Sequence, residues 1–515
     1  MGVGSGGFYL PRIYSEGKGE VTEALKKGEI DYAGMTKWQF PDEFLCFALQ
    51  SGFFEFVDKT YPTPRKKSEV PVWFLISCQL ILKLFNSARY GQLKYFLNAG
   101  SILTRVGFNL SNPTPGFNNK NKHDRETAVD PDTVRKFFKD TAPQEIRNWH
   151  NESLQGWFRG KRAFDSDGLF VLDQTHLVVP NNPNYKDAVR MPVDEHGQWY
   201  KNYDQLSAEQ KKGLPYHPCY SLSLLLHIAK SEEFFHVAGY EFGPGNEDEL
   251  VHARRLVPDF CKRHPGFMKE IIEDRGYIDG EFIGRMKKDY GVDTLVPLKR
   301  KMSTYEDAID IARRKNQWEV ICEEKDGTKL LKKTLCSLVE EMDLWENCPV
   351  KQHATVSKEI KWNEKDQKYD EKIWVLGATK KYRNPRQVVD RYALRTRIEE
   401  RNRQLKCGWQ IGSFTSPAPG LIESHICFTL LTYSLLQMYL RREDLRNQTN
   451  RMIQTLRMQD RASRDAVIVY AQDSFGVIQL QEYSDILLNA DDSAKQKLKA
   501  MKATQEGALI RDPQS

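Results

Sequence analysis

The spacing of apolar side chains changes along this chain, and each change predicts a change of structure. From about residue 38 to 108, aromatic and aliphatic residues recur every three to four positions. FLCFALQSGFFEFV and VWFLISCQLILKLF show this best, and the period predicts helices. The run SNPTPGFNNKNKHDRETAVD, 111–130, is rich in Asn, Pro and charge and predicts a linker. Asp130 followed by Pro131 predicts an N-cap and the first turn of another helix. From about 160 the pattern becomes short apolar runs: GLFVLD (168–173), HLVVP, YSLSLLLHIA and FFHVAGYEF, all read as strands. Asn246 with Glu249 has the spacing of a capping box and would open the helix NEDELVHARRLV. FMKEIIED is another short strand-like run, ending in Asp274, and precedes a helix in DGEFIGRMKKDYG and a strand in TLVPLK.

Residues 303–370 mix charge with scattered β-formers and carry Trp318, Trp345 and Trp362, which predicts an inserted, largely β subdomain. IWVLGAT, 373–379, reads as a strand returning to the core, and Pro385 opens a long helix. The order of strands, helix, strand, helix, strand, insertion and helix predicts a mixed α/β layer, antiparallel at first and with later crossovers. With 515 residues the chain can form two to four domains. The expected divisions are a helical N-terminal domain over 1–110, a linker with helices over 111–160, and a first core segment over 161–302. The insertion (303–370), a second core segment (371–440) and a C-terminal region (441–515) follow. The last of these begins with the Arg-rich, helical-looking LRREDLRNQTNRMIQTLRMQDRASR.

Composition narrows the function classes only a little. Mean hydropathy is −0.61, which suits a soluble protein. The net charge of +6 is too small to establish nucleic-acid binding, so local clustering matters more. The nine cysteines form no CxxC pair and are expected to be reduced, cytoplasmic thiols. His217-x-Cys219 and Cys261-x2-His264 lack a four-ligand zinc pattern. The N-terminus, MGVGSGGFYLPRIY, has neither a signal-peptide pattern nor the hydroxyl residue of a myristoylation site. The most apolar stretch, Leu421 to Leu440, contains Glu423 and His425 and is expected to be a buried helix rather than a membrane span.

The candidate chemistry lies in three acids. Within YALRTRIEERNRQLK, residues Tyr392, Arg395, Glu399 and Lys406 fall on an arc of about 60° if the run is α-helical at about 100° per residue. Leu394, Ile398 and Leu405 form a separate apolar stripe that can anchor this helix. Asp173 closes the first apolar strand, and Asp274 closes the strand after the helix that follows Asn246. Carboxylates at neighbouring strand ends, faced by one from a helix, can bind two hard divalent cations and act on a phosphodiester. Taken alone, Asp173 or Asp274 reads more readily as a turn residue or helix cap than as a catalytic acid. Glu273 is expected on the opposite strand face from Asp274, Glu400 is rotated off the stripe, and Asp165 and Asp167 belong to a turn.

These segments together resemble the DDE transposases of bacterial insertion sequences, specifically the cut-and-paste group with a Y-R-E-K motif. The matching elements are LDQTHLVVP around Asp173, EDRGYIDGEFIGRMKKDYGVDTLVPLK around Asp274 and YALRTRIEERNRQLK around Glu399, within about 160–440. The resemblance implies an RNase H-like core with flanking helices, a β-rich insertion between the second Asp and the Glu, and a helical N-terminal domain. It implies that Asp173, Asp274 and Glu399 are catalytic and bind Mg2+, for which Mn2+ can substitute. Tyr392, Arg395 and Lys406 would contact DNA phosphates. An insertion tryptophan would stack on a flipped base, with Trp318 and Trp345 as candidates, although a buried Trp is the competing reading of each.

The implied activity is cutting at terminal inverted repeats and joining of 3′-hydroxyl ends to target DNA. The partners would be element ends and target duplex, with a homodimer in the DNA complex and no membrane. The location would be the cytoplasm, on the nucleoid when bound to DNA. By analogy the first 150 residues would grip the repeats, although Arg65-Lys66-Lys67 reads as a solvated loop, and Arg386, Arg391, Arg397, Arg401 and Arg403 would make the Glu399 helix a phosphate-binding surface. A domesticated, non-catalytic DNA-binding protein and an RNase H-like nuclease on branched DNA are the alternatives. The first predicts a damaged triad, and the second needs neither the Tyr–Arg–Lys stripe nor the insertion.

Overall fold

A computed structural model of the chain describes residues 14–36, 39–65, 70–87, 89–97, 128–200, 203–230, 234–342, 347–442 and 466–509. The chain forms two compact units, one of residues 154–403 and one of 1–153 with 404–515. The second core segment expected over 371–440 is therefore divided after Arg403.

The unit of residues 154–403 is built on a mixed 10-stranded sheet. Its centre is the strand Leu169–Val178, nearly all of whose residues are apolar up to Leu172. On one side lies His217–Ile228, antiparallel over its full length, and beyond it Phe235–Pro244 and the short Val189–Met191. On the other side lie Glu270–Ile272 and then Asp293–Pro297, both parallel. Parallel neighbours need crossover connections, and the helices Glu249–Arg263 and Gly280–Tyr290 provide them. This mixed α/β layer agrees with an RNase H-like fold.

The sheet then runs on without a break. The strand Lys368–Ala378 pairs through Leu376–Ala378 with the Asp293–Pro297 strand, and along its whole length with Gln352–Asn363. Lys329–Met342 and Glu319–Asp326 follow, all antiparallel. The insertion thus extends the main sheet rather than forming a separate one, because one strand belongs to both. It also opens with a helix, Ser303–Lys315, where the sequence predicts part of a β region. Tyr305, Ala308 and Ala312 recur at helical spacing on that helix and are buried against Val339, Val356 and Val375.

In the other unit, the described residues between Gln39 and Phe96 are mainly helical, as expected, with Val72–Leu84 buried along its full length. The first described residues are not. Ser15–Glu16 and Tyr32–Thr36 are strands of a four-stranded sheet completed by Ala466–Ala471 and Ser474–Gln479 near the C-terminus. Asp130 caps the helix Pro131–Asp140, accepting the Asp132 amide at 2.8 Å. Leu421 to Leu440 lies in the largely buried helix Pro419–Arg442, whose Glu423 is paired with Arg147. No described helix is long and apolar enough to cross a membrane. The nine cysteines carry free thiols. The Arg-rich stretch from 443 to 465 lies outside the described residues, as do Lys66 and Lys67.

Candidate active site

Register places the first two acids. The parallel pairing of the Asp173 and Asp274 strands ends at Val171 opposite Ile272. Each acid lies two residues beyond its member of that last pair, so strand alternation carries both side chains to the same face where the strands part. Asp173 is not at a strand end, as expected from sequence, but in mid-strand. Its strand continues to Val178 because the antiparallel neighbour keeps pairing, with Asp173 opposite Leu224. Asp274 does follow the end of its strand and caps the turn Arg275–Tyr277, accepting the Arg275 amide at 2.7 Å.

Glu399 comes from the helix Pro385–Arg403, whose Leu394 and Ile398 are buried as the apolar stripe requires. Arg395, one turn earlier, joins all three acids. Its Nη2 is 2.8 Å from Asp274 Oδ2 and 4.0 Å from Asp173 Oδ1, and its Nη1 is 3.1 Å from Glu399 Oε1. Exposure grades across the group: the side chains of Asp173, Asp274 and Glu399 are 15%, 39% and 60% exposed. The site is therefore closed at Asp173 and open to an incoming molecule at Glu399. Burial pushes Asp173 up to about 6, and the charges of Asp274 and Glu399 push the same way against the pull of Arg395.

The donor set suits a hard divalent cation, since every donor is a carboxylate oxygen. Among the described residues, no three His, Cys, Asp or Glu are gathered closely enough to hold an ion as they stand. The acids converge instead on the Arg395 guanidinium. A cation is thus already accommodated at their meeting point, and ligation by all three requires that side chain to move aside.

The structure also locates the remaining predicted residues. Tyr392 shares the helix with Arg395 and Glu399, its ring 6.2 Å from that of Trp374. Lys406 does not continue the same α-helical phase, because Gln404–Gly408 is a π-helical turn with a wider repeat. Trp318 is partly buried against the apolar cluster of the insertion. Trp345 lies outside the described residues. The arginines expected to make the helix a phosphate surface are largely engaged within the protein. Arg386 donates to the Ile321 carbonyl, Arg391 pairs with Asp167 and Glu270, Arg403 pairs with Glu400, and Arg401 lies buried over the Phe235 ring. Asp165 behaves as a turn residue, accepting from the Lys230 and Asp167 amides.

Two neighbours of the site escaped the sequence reading. Asn402 donates from Nδ2 to Asp173 Oδ2 at 2.7 Å, and its position one turn after Glu399 on the same helix was the available signal. Trp374, on the strand Lys368–Ala378, reaches the Tyr392 ring, and nothing in its local sequence announces that contact.

Two aspartates from adjacent parallel strands and a helix-borne glutamate are thus gathered at one place on a mixed sheet. The chain belongs to the transposases with a DDE domain: the family model described as transposase DDE domain matches residues 165–435. That span contains Asp173, Asp274 and Glu399. The family is one of metal-dependent nucleases and strand-transferases that act on DNA and use divalent ions. No curated protein matches the chain.

Proposed function

We propose that this protein is a cut-and-paste transposase of the Y-R-E-K group, cutting duplex DNA at the inverted repeats of its own element and joining the 3′-hydroxyl ends to target DNA. The observation that carries this reading is the convergence of Asp173, Asp274 and Glu399 on one cationic point within the family-matched segment. In this reading the three carboxylates hold two Mg2+ ions, with Mn2+ able to replace them. Bound there, the ions would supply an activated water or hydroxyl and a counter-charge for the departing 3′ oxygen.

The chain's own residues have separable parts. Asp173, the most enclosed of the three, is fixed by the Asn402 amide. Asp274 is fixed by the turn it caps. Glu399 remains exposed enough to approach substrate. Arg395 balances the acids until its guanidinium is drawn to a DNA phosphate, as a planar fork of donors suits. Tyr392 and Lys406 are assigned to phosphates near the cleaved end. Trp374 joins Trp318 and Trp345 as a candidate for stacking on an unpaired base, because it lies against Tyr392. Two ends must be held together, so the DNA complex is a homodimer, acting in the cytoplasm on the nucleoid.

The test is Mg2+-dependent cleavage of a labelled duplex carrying the inverted repeats that flank the gene. Wild type is expected to cut at the repeat boundary. Asp173→Asn, Asp274→Asn and Glu399→Gln are each expected to lose at least about a thousandfold in rate while retaining duplex binding. Binding without cleavage by wild type would favour a domesticated DNA-binding protein. Cutting of branched DNA without regard to the repeats would favour a nuclease.

A further inference from the structure

Glu249 is the first residue of the helix Glu249–Arg263, and its sequence role as the acid of a capping box with Asn246 is not fulfilled. Asp248 caps that helix, accepting the Leu250 amide at 2.8 Å. The Glu249 carboxylate lies instead against Gly276, two residues after Asp274. A Cβ at Gly276 would collide with Glu249 Oε1 and come within 2.7 Å of Oε2. The sequence Asp-Arg-Gly thus leaves room beside Asp274 for a fourth carboxylate. The charges of Asp274 and Asp173 both act on it.

A second observation points the same way. Glu273 is wholly buried, and neither of its carboxylate oxygens has a hydrogen-bond partner among the described residues. The charge acting on it is that of Glu249. A buried, unpartnered carboxyl is costly to a fold. This fold satisfies such groups elsewhere: Glu270, three residues earlier and also buried, accepts from Lys380 at 2.8 Å and Tyr382 at 2.6 Å.

The helix that Glu249 opens is anchored at His252, which bonds Ser223 on the strand His217–Ile228 at 2.8 Å and Glu247 at 2.8 Å, with both His252 and Ser223 fully buried. Arg395 pairs with Asp274 and Glu399 and lies 4.0 Å from Asp173, while Lys299 is the cation acting on Glu249.

We propose that Glu249 is a fourth carboxylate of the acidic centre, ligating a divalent cation together with Asp173 and Asp274, and that Glu273 lies behind it as a positioning residue. This rests on reading the three acids as a metal centre.

The test is binding of Mn2+ alone to the full chain, followed by titration calorimetry and by thermal melting in EDTA and in Mn2+. Glu249→Gln is expected to weaken Mn2+ binding by about tenfold or more. It is also expected to melt above wild type in EDTA, where a crowded negative charge has gone, yet to gain less on adding Mn2+. Glu249→Asp keeps the charge but withdraws it by one methylene, and is likewise expected to bind Mn2+ more weakly. It serves if the Gln variant does not fold. Wild-type Mn2+ affinity in the Glu249 variants, with affinity lost in Asp173→Asn, would overturn the proposal and leave the triad intact. Unchanged affinity in Asp173→Asn as well would overturn both.

Discussion

Two regions of the same unit are dense in charge and handle it in opposite ways. In the insertion, charges face one another across strands. Lys333 meets Glu323, Lys332 meets Glu359 and Lys358 meets Glu371, at 3.5, 3.0 and 2.7 Å, each side chain at least 30% exposed. Val339, Val356 and Val375, further along the same strands, form a separate buried apolar cluster. At the acid centre the count is unbalanced: Asp173, Asp274 and Glu399 crowd around Arg395, with the charges of Asp173 and Asp274 also acting on Glu249, and part of the group is buried. Charge that serves folding is matched and wet, and costs little. Like charge that is gathered and partly dried costs stability, and natural chains keep such sites where function needs them.

The sharpest way to break this contrast is to remove the one guanidinium. Arg395→Ala leaves three carboxylates without their shared partner. In EDTA it is expected to cost about 1.5–3 kcal/mol, the range for hydrogen bonds to charged groups. In Mg2+ the loss should shrink, because another cation can take over the balancing role. Urea unfolding with and without Mg2+ measures both numbers. Equal losses in the two conditions would make Arg395 an ordinary internal ion pair, and the acid centre no different in kind from the insertion.

A smaller effect comes from pH. Burial and the charge of Glu249 push Glu273 from 4.5 up to about 8. The folded chain therefore keeps this proton after the unfolded chain has lost it. Stability from this group is greatest near and below pH 4.5 and falls as pH rises toward about 8. Glu273→Gln cannot ionise, so its melting temperature should match wild type near pH 5 and exceed it progressively toward pH 8. A difference that stays flat over that window would show that Glu273 carries no such burden.

Sequence legibility divides along the same line between local and distant causes. The Glu399 helix was readable because its apolar stripe and its Tyr–Arg–Glu spacing are local, and Leu394 and Ile398 are indeed buried. Lys406 was misplaced because a π-helical turn intervenes, and no residue pattern in QLKCG announces it. Asp274 was readable as an acid at a strand end, whereas Asp173 lies in mid-strand, and their common face follows from a parallel register that no single segment contains. Glu249 was hidden by a false match, since a capping-box spacing explained it before folding brought Gly276 beside it. The N-terminal strands were missed for a similar reason: Ser15 pairs with Ser474 at the far end of the chain, and a two-residue strand has no period to read. The insertion's opening helix was legible in principle from Tyr305, Ala308 and Ala312, and its charge obscured it.

The smallest predicted effect completes the contrast. Lys332 and Glu359 are 33% and 30% exposed and lie 3.0 Å apart on adjacent strands of the insertion. Solvent screens such a pair, and ordering two long side chains offsets much of the attraction. A double-mutant cycle of Lys332→Ala and Glu359→Ala should therefore give a coupling of about 0.5 kcal/mol or less, falling further at high salt. Cleavage at the repeat boundary should be unchanged in both single variants. A coupling well above that value, or a loss of cleavage, would mean that the insertion's charges do more than keep a sheet edge solvated. The separation between matched structural charge and unmatched site charge would then fail in the very unit that displays it.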